Sequence, residues 1–211
     1  MLKKHNIHNF IFSSTAAVHG SPEHSSPIKE DDPKNPISPY GASKLAAEGE
    51  VNKFLAIPGK NGTSLRFFNV IGTAAPELMD KSVENLVPIL INKLKAGQPP
   101  VIFGTDYLTP DGTCIRDYVD VRDVARAHLV AAESATLPAV MNVGTGRGAS
   151  VREVIKFLCE AAALNNVIPI EIDRRLGDLA SLCADVALIN RAIGFVSKYS
   201  IEASIKSLFG I

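Results

Sequence analysis

Ile7-His8-Asn9-Phe10-Ile11-Phe12-Ser13-Ser14-Thr15, near the start of the chain, decides the fold class. Residues 7–12 read as a short buried-type strand, and the hydroxyls of Ser13, Ser14 and Thr15 end it. A polar loop follows, punctuated by Pro22, Pro27, Pro33, Pro36 and Pro39 and carrying the acidic cluster Glu30-Asp31-Asp32. Pro39 then precedes a helix predicted over residues 40–55, a position where a missing N–H and a fixed φ suit the first turn. Residues 64–69, Ser-Leu-Arg-Phe-Phe-Asn, form a second strand with turn residues on both sides. A strand, a helix and a second strand in that order open an α/β fold.

The rest of the chain continues the alternation. A helix starts near Asn85, with Leu86, Val87, Leu90, Ile91 and Leu94 at helical spacing and Pro88 in the first turn, where it is tolerated. A strand at 101–103 precedes Gly104, and a long loop is expected over 105–118. Asp120 is a good N-cap for a helix running to about Glu133, with Asp123 in its first turn. Residues 140–143 read as a buried strand. Ser150 and Glu153 make a capping box that opens a helix to about Ala162. Residues 168–172 read as a strand, and helices over 185–193 and 201–208 close the chain, with Gly194 as a C-terminal stop. Strands alternating with amphipathic helices imply a largely parallel sheet. Gly144-Thr145-Gly146-Arg147-Gly148-Ala149 fits G-x-G-x-x-A between a strand and a helix. No acidic residue lies near 20 positions on, so it is read as a structural turn rather than a dinucleotide fingerprint.

Composition bounds the function. The chain has 211 residues, 46% of them apolar, enough for a sizeable core. Lys+Arg and Asp+Glu are 22 each, and this balance argues against a nucleic-acid binder or an anionic membrane surface. An anion site must then be local. Cys114, Cys159 and Cys183 are an odd count without metal-like spacing, so free thiols in a reducing cytoplasm are expected and no metal site. The basic opening, residues 1–6, leads into a strand too short for a signal sequence, and no apolar run approaches a membrane span.

Ser38-Pro39-Tyr40-Gly41-Ala42-Ser43-Lys44 carries the sharpest chemical signal. Tyr40 and Lys44 are four apart on a helix and share one face. A phenol of ordinary pKa about 10 is a poor base at neutral pH, and a nearby ammonium favours its phenolate. Such a pair can take a proton from a sugar hydroxyl. Tyr-x-x-x-Lys also occurs by chance on exposed helix turns. The hydroxyl end of the first strand adds weight, because ligands bind at the carboxyl ends of parallel strands. There Thr15 could share the proton, although an ordinary Ser/Thr-rich turn fits the residues too.

Three segments together resemble the extended short-chain dehydrogenase/reductase family: residues 12–20, Tyr40-x-x-x-Lys44, and Leu65-Arg66-Phe67-Phe68-Asn69-Val70-Ile71-Gly72. Residues 102–119, Ile-Phe-Gly-Thr-Asp-Tyr-Leu-Thr-Pro-Asp-Gly-Thr-Cys-Ile-Arg-Asp-Tyr-Val, closely resemble a segment of the UDP-glucose 4-epimerases, as do Arg174-Arg175-Leu176-Gly177-Asp178 and Ala184-Asp185. The resemblance covers essentially the whole chain. It implies a partial Rossmann-like parallel sheet plus a smaller α/β substrate-binding domain. Residues 1–70 would be the C-terminal half of an NAD-binding domain whose first half is absent. Residues 71–211 would be the UDP-sugar-binding domain, with 116–145 returning to the Rossmann part. By the same resemblance Tyr40 is the acid/base on the sugar 4-hydroxyl, Lys44 holds the nicotinamide ribose, and Thr15 bonds the sugar oxygen. Phe68 lines the nicotinamide site. Asn69, Asn85, Leu86, Val101 and Phe103 contact a UDP-hexose, Arg116 and Arg175 grip its diphosphate, and Asp178 binds a ribose hydroxyl. Phe68 and Phe103 could equally be plain core, and Arg174 or Arg175 half of a solvated charge pair.

The sequence departs from the family in places. His19 stands where a tyrosine is usual and Asp120 where histidine is common. Leu182 falls at a position that sets sugar-pocket size, which leaves N-acetylated sugars open. Ala16-Ala17 follow Thr15 where dehydratases carry an acidic pair, which argues against dehydration. No glycine-rich NAD fingerprint precedes Ile7, so the resemblance implies on the order of 100 missing residues, one mononucleotide half. An incomplete NAD site, an open strand edge and low activity are the expectations that follow. The alternatives are an N-acetylhexosamine 4-epimerase, and a non-catalytic remnant or half-protein that binds a nucleotide sugar. A homodimer through the Tyr40-bearing helix is expected if the fold completes.

Overall fold

The computed structural model describes residues 5–20, 27–82 and 84–211; residues 1–4 of the basic opening and Pro22 of the polar loop lie outside them. β1 (Asn9–Thr15) ends in a 3-10 turn at Ala16–Val18 that the Thr15 side chain caps. α1 (Pro39–Leu55) starts on Ser38, whose hydroxyl accepts from the Gly41 N–H, with Pro39 in its first turn as the sequence requires. β2 (Asn61–Phe67) lies parallel to β1, pairing Asn9 with Asn61 through to Thr15 with Phe67. β6 (Val140–Val143) adds parallel to β2, giving the order β1-β2-β6 with β1 at an edge among the described residues.

β3 (Asn69–Ile71) leaves β2 after one residue and pairs in parallel with β5 (Ile115–Asp120). β5 also holds β7 (Gly148–Ser150) antiparallel and β9 (Ser181–Leu182) parallel. β4 (Val101–Phe103) and β8 (Ile170–Ile172) form a separate parallel pair. The helices are α2 (Leu86–Lys95), α3 (Val121–Glu133), α4 (Val151–Ala161), α5 (Ala187–Ile193) and α6 (Ile201–Ser207).

The predicted caps are all in place. Asp120 accepts from Arg122 N, Ser150 and Glu153 make both bonds of the capping box, and Gly194 takes a left-handed φ of 65°. Two expectations are corrected. The strand read over 64–69 starts earlier, at Asn61, and ends at Phe67, with Asn69 already in β3. The long loop over 105–118 stops at Cys114, because Ile115 onward is strand β5. Arg116 and Asp117 disguise it: charges break the apolar alternation by which a strand is read, and both are satisfied by tertiary partners.

Two apolar clusters flank the cleft described below. One joins Leu65, Val119, Ala127, Met141, Val143, Ile189 and Phe195 beneath the β1-β2-β6 sheet. The larger packs Ile71, Leu90, Ile102, Tyr118, Val154, Leu158 and Ile205 among α2, α4, α6 and β5. α4 shows the logic. Val151, Val154, Ile155 and Leu158 fall at i, i+3, i+4 and i+7 and are the buried residues of the helix. Each contributes about 1.5–3 kcal/mol of apolar burial.

Candidate active site

The C-terminal ends of β1 and β2 open on a cleft of about 670 Å³. Its lining brings together Thr15, Tyr40, Phe68, Asn69, Asn85, Leu86, Val101, Phe103, Arg116, Arg175 and Asp178. Of the residues given a catalytic, cofactor or substrate role from the sequence, Lys44 alone is not in this lining. Its Nζ donates to Ser13 O at 2.9 Å and lies 5.7 Å from the Tyr40 ring centroid and 5.1 Å from that of Phe12. Tyr40 and Lys44 therefore sit on the same side, one helical turn apart, beside the strand end. An ammonium has three N–H donors, so the bond to Ser13 leaves two.

Local sequence explains the placement. Gly41 has no side chain where one would meet Ala17 O at 2.5 Å, so the first turn of α1 can lie against the turn that follows Thr15. Tyr40, the residue before it, is 56% exposed and projects to the cleft. Thr15 Oγ1 accepts from Ala17 N at 3.2 Å, which leaves its own proton to donate.

The cleft wall that carries Arg116, Arg175 and Asp178 is built by long-range contacts. Arg116 lies on β5, donates to Ile115 O at 2.9 Å and Leu179 O at 2.8 Å, and faces Asp178 at 3.6 Å. Arg175 stacks its guanidinium 3.6 Å from the Phe103 ring centroid. Arg174 is the solvated half of the pair: it bonds Asp106 at 2.6 Å and covers Tyr107. The two readings of the Arg174-Arg175 dipeptide thus divide between its members. Phe68 is both core and wall, packing with Ala16, Ile28 and Ala184 while facing the cleft. Asn85 directs its amide to Asp80 at 2.8 Å, and Leu182 packs against the Phe68 cluster. Burial pushes up the Cys114 thiol in the cleft wall, and the nearby Arg116 opposes the shift.

The Gly144–Ala149 stretch is a turn held from inside. Asp117 accepts from Thr145 N and Gly146 N at 2.8 and 2.9 Å, from Thr145 Oγ1 at 2.6 Å and from Ala184 N at 3.2 Å. A carboxylate already fills the anion cradle that a phosphate would need. Burial pushes the Asp117 carboxyl above its ordinary range, against the pull of these donors.

Sequence reasoning passed over two groups. Asp117 gave no local signal, since its partners lie 28 and 67 residues away. Glu48 did give one: it follows Lys44 by four, so helical spacing alone puts it on the Tyr40–Lys44 face. It is buried and bonded to Ser14 and Arg66.

A family model described as the NAD dependent epimerase/dehydratase family matches residues 1–144. The UDP-glucose 4-epimerase of Azospirillum brasilense is 44% identical over 200 residues, covering 92% of this chain and 57% of that protein. A crystal structure of UDP-glucose-4-epimerase from Stenotrophomonas maltophila, with bound NAD and formylated UDP-arabinopyranose, matches with a TM-score of 0.90 at 30% identity. The match covers 99% of this chain and 64% of that one. A UDP-N-acetylglucosamine 4-epimerase from Methanobrevibacter ruminantium, in complex with UDP-N-acetylmuramic acid, matches at 28% identity with a TM-score of 0.85 and the same coverage. The chain thus spans less than two thirds of the length of each.

Proposed function

The chain belongs to the NAD dependent epimerase/dehydratase family, and on that premise we propose that it is the catalytic and sugar-nucleotide-binding part of a UDP-glucose/UDP-galactose 4-epimerase. The observation that carries the reading is one cleft lined both by groups suited to proton transfer and by groups suited to a diphosphate. Thr15 and Tyr40 share it with Arg116, Arg175 and Asp178.

The nicotinamide end of NAD fits the residues at the strand end. Tyr40 and Phe68 present rings there, and Lys44 has two N–H donors to spare for ribose hydroxyls. When bound, NAD would accept and return the hydride at C4. The chain's own residues do the rest. Tyr40 takes the proton of the sugar 4-hydroxyl, Thr15 donates to the same oxygen, and the Lys44 ammonium stabilises the phenolate. Arg116 and Arg175 supply guanidinium forks for the diphosphate, and Asp178 accepts from a ribose hydroxyl. Anchoring at the diphosphate leaves the sugar free to turn over, so that the 4-keto sugar would present the opposite face of C4 for the hydride's return while Tyr40 gives its proton back to the 4-oxygen.

In this reading residues 1–70 and 116–145 form the nucleotide-binding part and the remainder binds UDP-sugar. A homodimer through the outer face of α1 belongs to the same proposal. Free Cys114, Cys159 and Cys183 accord with a reducing cytoplasm, and among the described residues no helix is long and apolar enough to cross a membrane. Tyr40→Phe is expected to lower kcat about 10²–10⁴-fold with KM for UDP-glucose nearly unchanged. An unchanged kcat removes Tyr40 as the base. The second reading, an N-acetylhexosamine 4-epimerase, draws on the Methanobrevibacter likeness, and turnover of UDP-GlcNAc against UDP-glucose decides between them.

A further inference from the structure

The half of α1 that carries Tyr40 and Lys44 has almost nothing apolar to hold it. The buried residues of the helix are Gly41, Glu48, Val51 and Phe54, so from Pro39 to Glu50 only a glycine and a carboxylate are buried. Glu48 lies two turns beyond Tyr40 and one beyond Lys44, on their face. Its carboxylate takes a bidentate grip from Arg66 of β2, Nε to Oε1 at 2.9 Å and Nη2 to Oε2 at 2.6 Å. Ser14 Oγ of β1, next to Thr15, donates to the same Oε1 at 2.5 Å. Arg66 Nη1 reaches on to Glu30 O at 2.9 Å and stands 3.2 Å from His19 Nε2. Both charged side chains are almost wholly out of water, 2% and 5% exposed.

Stability does not account for such a pair. Desolvating two charges offsets most of their attraction, and well-packed apolar residues of similar volume often serve as well or better. What an apolar pair lacks is direction. A planar fork fixes both the distance and the rotation of its partner. We propose that Glu48 and Arg66, with Ser14, form a buried latch that sets where α1 sits on the ends of β1 and β2, making Glu48 and Arg66 positioning residues for Tyr40 and Lys44. The proposal rests on the epimerase reading for its effect on turnover, but not for its effect on Lys44.

The test replaces the latch by apolar volume, Glu48→Leu with Arg66→Met. A latch that only stabilises predicts that thermal stability and kcat are kept together. A positioning latch predicts a melting temperature near that of the unmodified chain and kcat down roughly 10- to 100-fold, with KM for UDP-glucose unchanged. A second readout needs no turnover. Acetic anhydride is expected to label Lys44 slowly while its Nζ is held on Ser13 O, and Lys53 on the same helix, whose surface pair with Glu50 the substitutions leave in place, is the internal reference. The ratio of Lys44 to Lys53 labelling should rise several-fold in the double variant. Should that variant not fold, Ser14→Ala removes one hydrogen bond and no charge, and should raise the ratio in the same direction. An unchanged ratio overturns the latch. An unmodified chain that binds no UDP-sugar overturns the functional reading, while the labelling ratio still decides the latch.

Discussion

At the residue scale, His19 shows how one packing choice sets a pH response. The ring is 1% exposed, donates to Pro33 O through Nδ1 at 3.2 Å, and faces the Arg66 guanidinium. Burial first, then the charge of Arg66, lowers its pKa from 6.5 to about 4. Between those values an unfolded chain binds a proton that the folded chain refuses. Stability from this group is therefore full above pH 6.5 and falls as pH drops toward 4. At 1.36 kcal/mol per unit, about 2–3 kcal/mol is at stake by pH 4.5. Glu30 and Asp117, whose carboxyls burial pushes up, act in the opposite sense, so the paired comparison is the informative one. His19→Gln should lose less unfolding free energy than the native chain between pH 7 and pH 4.5, measured by urea denaturation. Parallel losses would mean the imidazole is charged in the folded state. None of this is legible in Val18-His19-Gly20, because Arg66 and Pro33 are brought to the ring by tertiary packing.

At the element scale, α1 was readable from Pro39 at its start, and so was the facing of Tyr40 and Lys44. Helical spacing is a local property and survives any tertiary context. How closely the helix approaches β1 is not local. It depends on Gly41, whose missing side chain leaves room for Ala17 O and Pro36. Gly41→Ala sets two effects against each other. Helix propensity gains about 1 kcal/mol, while a Cβ placed 2.5 Å from a backbone oxygen forces a shift that typically costs about 1–3 kcal/mol. The clash wins on geometry, because a displaced first turn carries Tyr40 away from Thr15. The variant should lose kcat by at least about 10-fold with a change in melting temperature of only a few degrees. Native turnover in Gly41→Ala would show that the approach is slack. β5 is the opposite case: its charged Arg116 and Asp117 hide a strand that only its neighbours β3, β7 and β9 reveal.

At the scale of the whole molecule, Asp117 ties together parts distant in sequence. From β5 it reaches the turn after β6 and the backbone at Ala184, which follows the segment bearing Arg175 and Asp178. Asp117→Ala leaves three N–H groups without their acceptor, that of Ala184 buried and those of Thr145 and Gly146 part-buried, at about 1–3 kcal/mol for each group kept from water. A loss of at least about 3 kcal/mol in urea-denaturation free energy is expected. A loss under 1 kcal/mol would show that the turn finds other partners.

The sequence by itself determined the α/β alternation, the caps at Asp120, Ser150 and Gly194, and the Tyr40–Lys44 face. Each depends on residues within a few positions of one another, where helix geometry and turn chemistry act without the rest of the fold. The tertiary structure alone decided that Thr15, Tyr40, Arg116, Arg175 and Asp178 share a cleft. It also decided that Arg174 is spent on Asp106 and that Glu48 locks α1 to Arg66. Those outcomes come from burial and charge pairing between segments tens of residues apart, which no local pattern encodes.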